Sequence, residues 1–137
     1  MTVMNDTAYT LSGTTTLDFA EAVARVRNAL RDEGFGVLTE IDVQATLEEK
    51  LGEEMPPYLI LGACNPPYAH RALGMEPELG ALLPCNVVVY VQPDGTTRVS
   101  GADAVAMLGL VGRVELEPIA DEIQEKVERA LQTVWEA

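Results

Sequence analysis

Residues 58–67, Tyr-Leu-Ile-Leu-Gly-Ala-Cys-Asn-Pro-Pro, change character within a single step of the chain. Tyr58 to Ala63 is an apolar run short enough to be a buried strand, and Pro56 and Pro57 before it force extended backbone. The run stops at Cys64. Asn65 is a favoured helix N-cap and Pro66 fits the first helical position, so a short helix is expected over Pro67 to Leu73, closed by Gly74. The strand meets this helix with almost no loop.

Upstream, the same alternation of periods recurs. Ala8 to Gly13 alternates Tyr9 and Leu11 as a first strand, and its threonines point to a sheet edge. Asp18 and Glu21 form a capping box for a helix whose Phe19, Val23, Val26 and Leu30 share one face, with Gly34 placed to end it. Phe35 to Ile41 returns to strand composition. Asp42 then caps a second helix in which Val43, Leu47 and Leu51 repeat every fourth residue before Gly52.

Downstream, Leu82 to Val91 reads as a long strand with Pro84 near its start, where a proline is tolerated. Gln92-Pro93-Asp94-Gly95 is turn chemistry and makes a hairpin to Thr96 to Ser100. Asp103 caps a short helix through Met107 and Leu108. A stripe of Leu116, Ile119, Ala120, Ile123, Val127, Leu131 and Val134 then marks a final helix, with Pro118 in its first turn. The order β-α-β-α-β-α-β-β-α specifies a two-layer α+β fold with helices covering the sheet. A mixed, mostly antiparallel sheet is expected, because the hairpin must be antiparallel while the helix-containing connections allow parallel crossovers.

Nothing divides the 137 residues, so residues 1–137 are read as a single domain, with 1–6 as a flexible N-terminus. With 47% hydrophobic and 23% charged residues, the chain is neither disordered nor a disulfide scaffold. Its net charge of −13 repels phosphate backbones and anionic membrane surfaces, which excludes nucleic acid and membrane as partners. Residues 1–6 carry neither a basic nor an apolar leader region, and no stretch has the apolar length of a membrane span. A cytoplasmic location follows as the expectation, and there the two cysteines are free thiols, ligands or a redox pair.

Chemistry concentrates at two corners. Cys64 precedes a helix N-terminus, whose N–H groups and dipole favour a thiolate or a bound anion; the plain alternative is a small buried hydrophobe at a strand end. Cys85, in Leu83-Pro84-Cys85-Asn86, shares a sheet end with Cys64 only if their two strands are antiparallel neighbours. His70, the only histidine, offers Cys64, His70 and Cys85 as three N/S ligands for a soft metal, although the spacing matches no metal motif. Asn65 and Asn86 place amides beside the thiols, as a polar-ligand pocket would use, or they simply cap and turn the backbone. Glu48, Glu49, Glu53 and Glu54 read as a solvated face. The glycines form no phosphate-binding loop, and Gly109, Gly112 and Arg113 read as a hinge or turn.

Several segments together carry a resemblance: Glu33-Gly34-Phe35-Gly36-Val37-Leu38, Glu40-Ile41-Asp42, the Leu47 to Lys50 helix, Tyr58 to Pro66, Ala69 with Ala72-Leu73, and Gly80 to Val89. They resemble domain-of-unknown-function family 302 from about the first helix to the last. The resemblance implies a compact α+β domain of bacteria and archaea, and no defined activity. It draws attention to the same two corners, and His70 is not part of its pattern.

The expected function is a binding module, taken as a homodimer, whose pocket is lined by Cys64, Asn65, Pro66, Pro84, Cys85 and Asn86. A small molecule or a soft metal ion is the expected partner; no cofactor and no catalytic motif is specified. A thiol redox protein, with Cys64 attacking and Cys85 resolving, is the second reading. A structural or protein-interaction domain is the third.

Overall fold

Aspartates set three of the helix starts. After β1 (Thr10–Thr15), Asp18 accepts the Glu21 N–H at 2.8 Å and opens α1 (Phe19–Asp32). After β2 (Gly36–Asp42), Asp42 accepts from Ala45 N at 2.9 Å and opens α2 (Val43–Leu51). Asp103 does the same at 2.9 Å for α4 (Ala104–Gly109). Each satisfies a first-turn N–H that has no partner within its own helix. Between them lie β3 (Tyr58–Cys64), α3 (Pro66–Met75), a 3₁₀ turn at Pro77–Leu82, β4 (Cys85–Val91) and β5 (Thr97–Ala102). A second 3₁₀ turn, Val114–Leu116, leads into α5 (Glu117–Trp135). This computed structural model describes residues 7–137, so the flexible N-terminus expected over residues 1–6 lies outside the described residues.

The end of α1 has a defined geometry. Gly34 takes φ +86°, its N–H reaches Arg31 O at 3.0 Å, and Phe35 N reaches Leu30 O at 2.9 Å. This is the Schellman pattern, and the buried Leu30 and Phe35 supply its usual apolar contact.

The strands form one sheet in the order β1-β5-β4-β3-β2, which puts β1 at an edge as its threonines indicate. The α+β class and the element order stand as expected. Among the described residues every pairing is antiparallel, so no part of the sheet is parallel. The reason lies in the connections: those through α2 and α3 each begin and end at the same end of the sheet. Only the α1 connection crosses the sheet, from one edge strand to the other, and those two strands never meet.

One face of the sheet carries Leu59, Leu61, Ala63, Val87, Val89 and Val99, all buried beneath α1 and α5. Every position of the final apolar stripe from Leu116 to Val134 is buried, as expected. The second helix differs. No residue of α2 is buried, and Leu51 is exposed, so its fourfold repeat does not mark a core face. Among the described residues no helix is long and apolar enough to cross a membrane.

Candidate functional site

Because β3 and β4 are antiparallel neighbours, both cysteines come to the same end of the sheet. Cys85 stands opposite Ala63, and Cys64, the next residue along β3, stands opposite Gly36 of β2. Both are free and half-buried. They line a cavity of about 310 Å³ bounded by the ends of β2, β3 and β4, by α3 and by the Pro77–Leu82 turn. Its floor is the core itself, formed by Phe35, Ala63, Leu79, Leu108 and Ile123. Leu38 and Leu73 stand at the same cavity, 67% and 38% exposed.

Two irregularities shape this end of the sheet. The β2–β3 register shifts between Val37 and Thr39, so Leu38 is the extra residue of a bulge and is turned to the cavity. At Gly62, a Cβ would lie 2.1 Å from Thr39 Oγ1 and 2.8 Å from Pro84 Cγ. Glycine there lets Thr39 and Pro84, both lining the cavity, close over the strand. The Leu83–Pro84 peptide is cis.

Asn65 sits at the N-cap position of α3 but makes no side-chain capping bond. Its Nδ2 instead donates to the carbonyl of Glu33 at 3.3 Å, across the cap of α1, and lies 3.2 Å from where a Cβ on Gly34 would be. The capping role expected for Asn65 is therefore replaced by a tie between two helix ends. The activating role expected of the α3 N-terminus also weakens, because Pro66 and Pro67 have no N–H to offer. Burial pushes the Cys85 thiol up, and neighbouring Cys64 pushes it further. A thiol so shifted stays protonated at neutral pH and is a poor nucleophile.

Residues 11–134 match the family described as Domain of unknown function DUF302. The chain belongs to this family. It is also similar to a solved structure from Bacillus stearothermophilus, described as an uncharacterized conserved protein DUF302. The two share 30% sequence identity over 93% of this chain and 99% of that one, with a TM-score of 0.87. No curated protein matches.

Of the six positions expected to line a pocket in this DUF302 domain, Cys64, Asn65, Pro84 and Cys85 line the cavity. Pro66 and Asn86 do not. Strand pleating separates Asn86 from Cys85: Asn86 is exposed and lines a different groove, beside Tyr58, Tyr90 and Arg98. Pro66 is exposed at the start of α3. His70 is exposed as well and does not line the cavity, and among the described residues no three His, Cys, Asp or Glu side chains come together as a metal site. The Cys64, His70, Cys85 triad is thus not assembled.

The sequence reading missed Thr39, Tyr68, Ala69, Ala72 and Leu73. Four of these were accessible from spacing, since 65, 68, 69, 72 and 73 share one helical face while 66 and 70 fall on the other. The lining residues that carry side-chain polar atoms are Thr39, Asn65, Tyr68 and the two cysteines, and no lining residue is a carboxylate or an imidazole.

The corner is braced by Glu33, whose carboxylate takes a two-armed contact from Arg129 of α5 at 2.8 and 2.9 Å. The hydrogen bond from Arg129 holds the Glu33 carboxyl below its usual range; partial desolvation opposes this, and the charges of Arg129 and Lys126 add to it. A depressed folded-state value stabilises the fold above the ordinary carboxylate range, and this is lost as pH falls through the folded value. Arg129→Ala is accordingly expected to flatten the pH dependence of thermal stability below about pH 4.5, with a shift of only a few degrees at neutral pH because the pair is solvent-screened. Melting curves from neutral to acid pH check this; parallel profiles for the two proteins contradict it.

Proposed function

We propose that this protein is a small-molecule-binding module whose ligand places an apolar body in the cavity at the Cys64 and Cys85 end of the sheet. The observation that carries this is the cavity's lining, apolar from the core floor out to Leu38 and Leu73. A volume of about 310 Å³ is in the range of small-ligand sites, and a few convergent polar groups in an apolar wall are their usual form. Large apolar side chains exposed at a concave mouth gain by being covered. Thr39, Asn65 and Tyr68 would orient the polar end of the ligand. Two free thiols fit a reducing compartment, and a cytoplasmic location is part of the same reading.

The test is titration with N-phenyl-1-naphthylamine, an apolar dye that fluoresces when it leaves water. Saturable binding to the wild type is expected. Leu38→Glu and Leu73→Glu, both at exposed positions and so compatible with folding, should each weaken it about tenfold, equivalent to about 1.4 kcal/mol. Unchanged dye binding in both variants overturns the proposal, as does a dimer that Leu38→Glu dissociates, since a second copy would then be the occupant.

A further inference from the structure

The face of the sheet turned away from α1 and α5 carries a second concave site. Side chains that alternate with the buried core positions of β3, β4 and β5, joined by residues of β1 and by Met107, line a groove of about 530 Å³. Among the described residues none lines both this groove and the cysteine cavity. Tyr58 stands opposite Tyr90 and Tyr90 opposite Arg98, while in the adjacent row Ser12 stands opposite Ser100 and Ser100 opposite Val88. The Tyr58 and Tyr90 rings stack with centroids 5.1 Å apart, and Val88 and Met107 extend the apolar wall.

The polar groups of the groove are mostly donors. Ser100 Oγ donates to Ser12 Oγ at 2.9 Å, Ser12 meets Thr10 at 3.1 Å, and Thr10 meets Thr7. Three contacts among four hydroxyls use three protons, which leaves one O–H for an acceptor of another kind. Among the described residues Arg98 is the one charged group of the lining, 7% exposed, although the chain has 22 acidic residues. Arg98 already has a partner in the chain, and five N–H donors allow it a second acceptor. The net charge of −13 opposes any anion, but at physiological salt its reach is about 8 Å. A guanidinium in contact with its ligand, shielded from water, acts more strongly.

We propose that this groove binds a small aromatic carboxylate, with the carboxylate on Arg98 and the ring against Tyr90 and Val88. A carboxylate matches the planar fork of a guanidinium with two oxygens, and its single charge matches the single cation. An aromatic body matches the stacked tyrosines beside it. The groove and the cysteine cavity are separate sites, so either reading can fail alone.

The experiment is a titration of the isotope-labelled whole chain with 2-naphthoate and, separately, with neutral 2-naphthamide, followed by amide chemical shifts. Saturable shifts centred on Val88, Tyr90, Arg98 and Ser100 are expected with naphthoate, and the amide should bind at least about tenfold more weakly. Arg98→Gln should lower naphthoate affinity to that of the amide. Because Arg98 is buried and that variant can fail to fold, Val88→Glu, at a half-buried position in the groove, gives a second reading. Its tethered carboxylate should weaken naphthoate binding at least about tenfold and amide binding by much less. The near-ultraviolet circular dichroism of Trp135, buried on the other face, shows which variants are folded. The proposal is overturned by no saturable shift up to about 1 mM naphthoate, by equal affinity for naphthoate and its amide, or by unchanged naphthoate binding in a folded variant. Shifts gathered instead at Leu38, Thr39 and Leu73 also overturn it and leave the cysteine cavity as the binding site. Groove shifts that follow protein concentration without ligand overturn it too, since a second copy is then the occupant.

Discussion

Gly13→Ala is expected to destabilise the protein by about 3 kcal/mol, lowering the melting temperature by roughly 10 °C. Gly13 lies in β1 opposite Val99, and the indole of Trp135 rests on it. A Cβ at Gly13 would sit 2.7 Å from Cγ and Cδ1 of that ring and 2.8 Å from Cδ2. The ring has nowhere to go. It is fully buried, and its Nε1 donates to Val99 O at 3.0 Å, so any retreat breaks a buried hydrogen bond or displaces α5. Trp135→Ala removes the same contact from the other side and should cost about 4 kcal/mol through the cavity it leaves. Because both changes act on one contact, they should not add: in a Trp135→Leu background, Gly13→Ala should cost at least about 1 kcal/mol less than in the wild type. Urea unfolding followed by circular dichroism measures all of these. A Gly13→Ala midpoint equal to wild type, or strict additivity in the double variant, contradicts the steric account.

That contact also shows where sequence reasoning stops. Local rules were readable because their causes are local. Asp18, Asp42 and Asp103 cap the helices they precede, Gly34 and Gly52 take the positive φ that ends two of them, and the stripe from Leu116 to Val134 is buried along its length. Trp135 lies one residue beyond that stripe, and its partner is more than a hundred residues away, so no periodicity announces the pair. Strand direction was hidden for a related reason. A hydrophobic pattern marks a helix but not the end of the sheet to which the chain returns, and α2, with no buried residue, returns it to the end it left.

The site was legible in the same proportion. Cys64, Asn65, Pro84 and Cys85 were found because unusual residues cluster at two strand ends, and antiparallel pairing brings those ends together. Asn86 was assigned by proximity in sequence, which a pleated strand converts into the opposite face. Leu38 was hidden by its bulge, since alternation along β2 fails at the residue that turns toward the cavity.

Gly62→Ala joins the fold to the site. It is expected to cost about 2 kcal/mol and to weaken dye binding about tenfold in protein that is still folded. The added Cβ meets two groups of different freedom, Thr39 Oγ1 at 2.1 Å and Pro84 Cγ at 2.8 Å. A threonine hydroxyl moves by a rotamer change. A proline ring is closed onto its own backbone, so it moves only with the chain, and Cys85 is the next residue. The displacement therefore falls on the wall of the cavity rather than dispersing into solvent. A second substitution separates the two contacts. Thr39→Ala removes the 2.1 Å clash and leaves the one at Pro84, so the double variant should recover part of the lost stability while its dye affinity stays low. Full recovery of both would mean that Thr39 alone was the obstacle and that Pro84 does not carry strain into the site. Recovery of neither would place the whole cost at Pro84, and would make the junction of that ring with β4 the most sensitive point of the cavity wall.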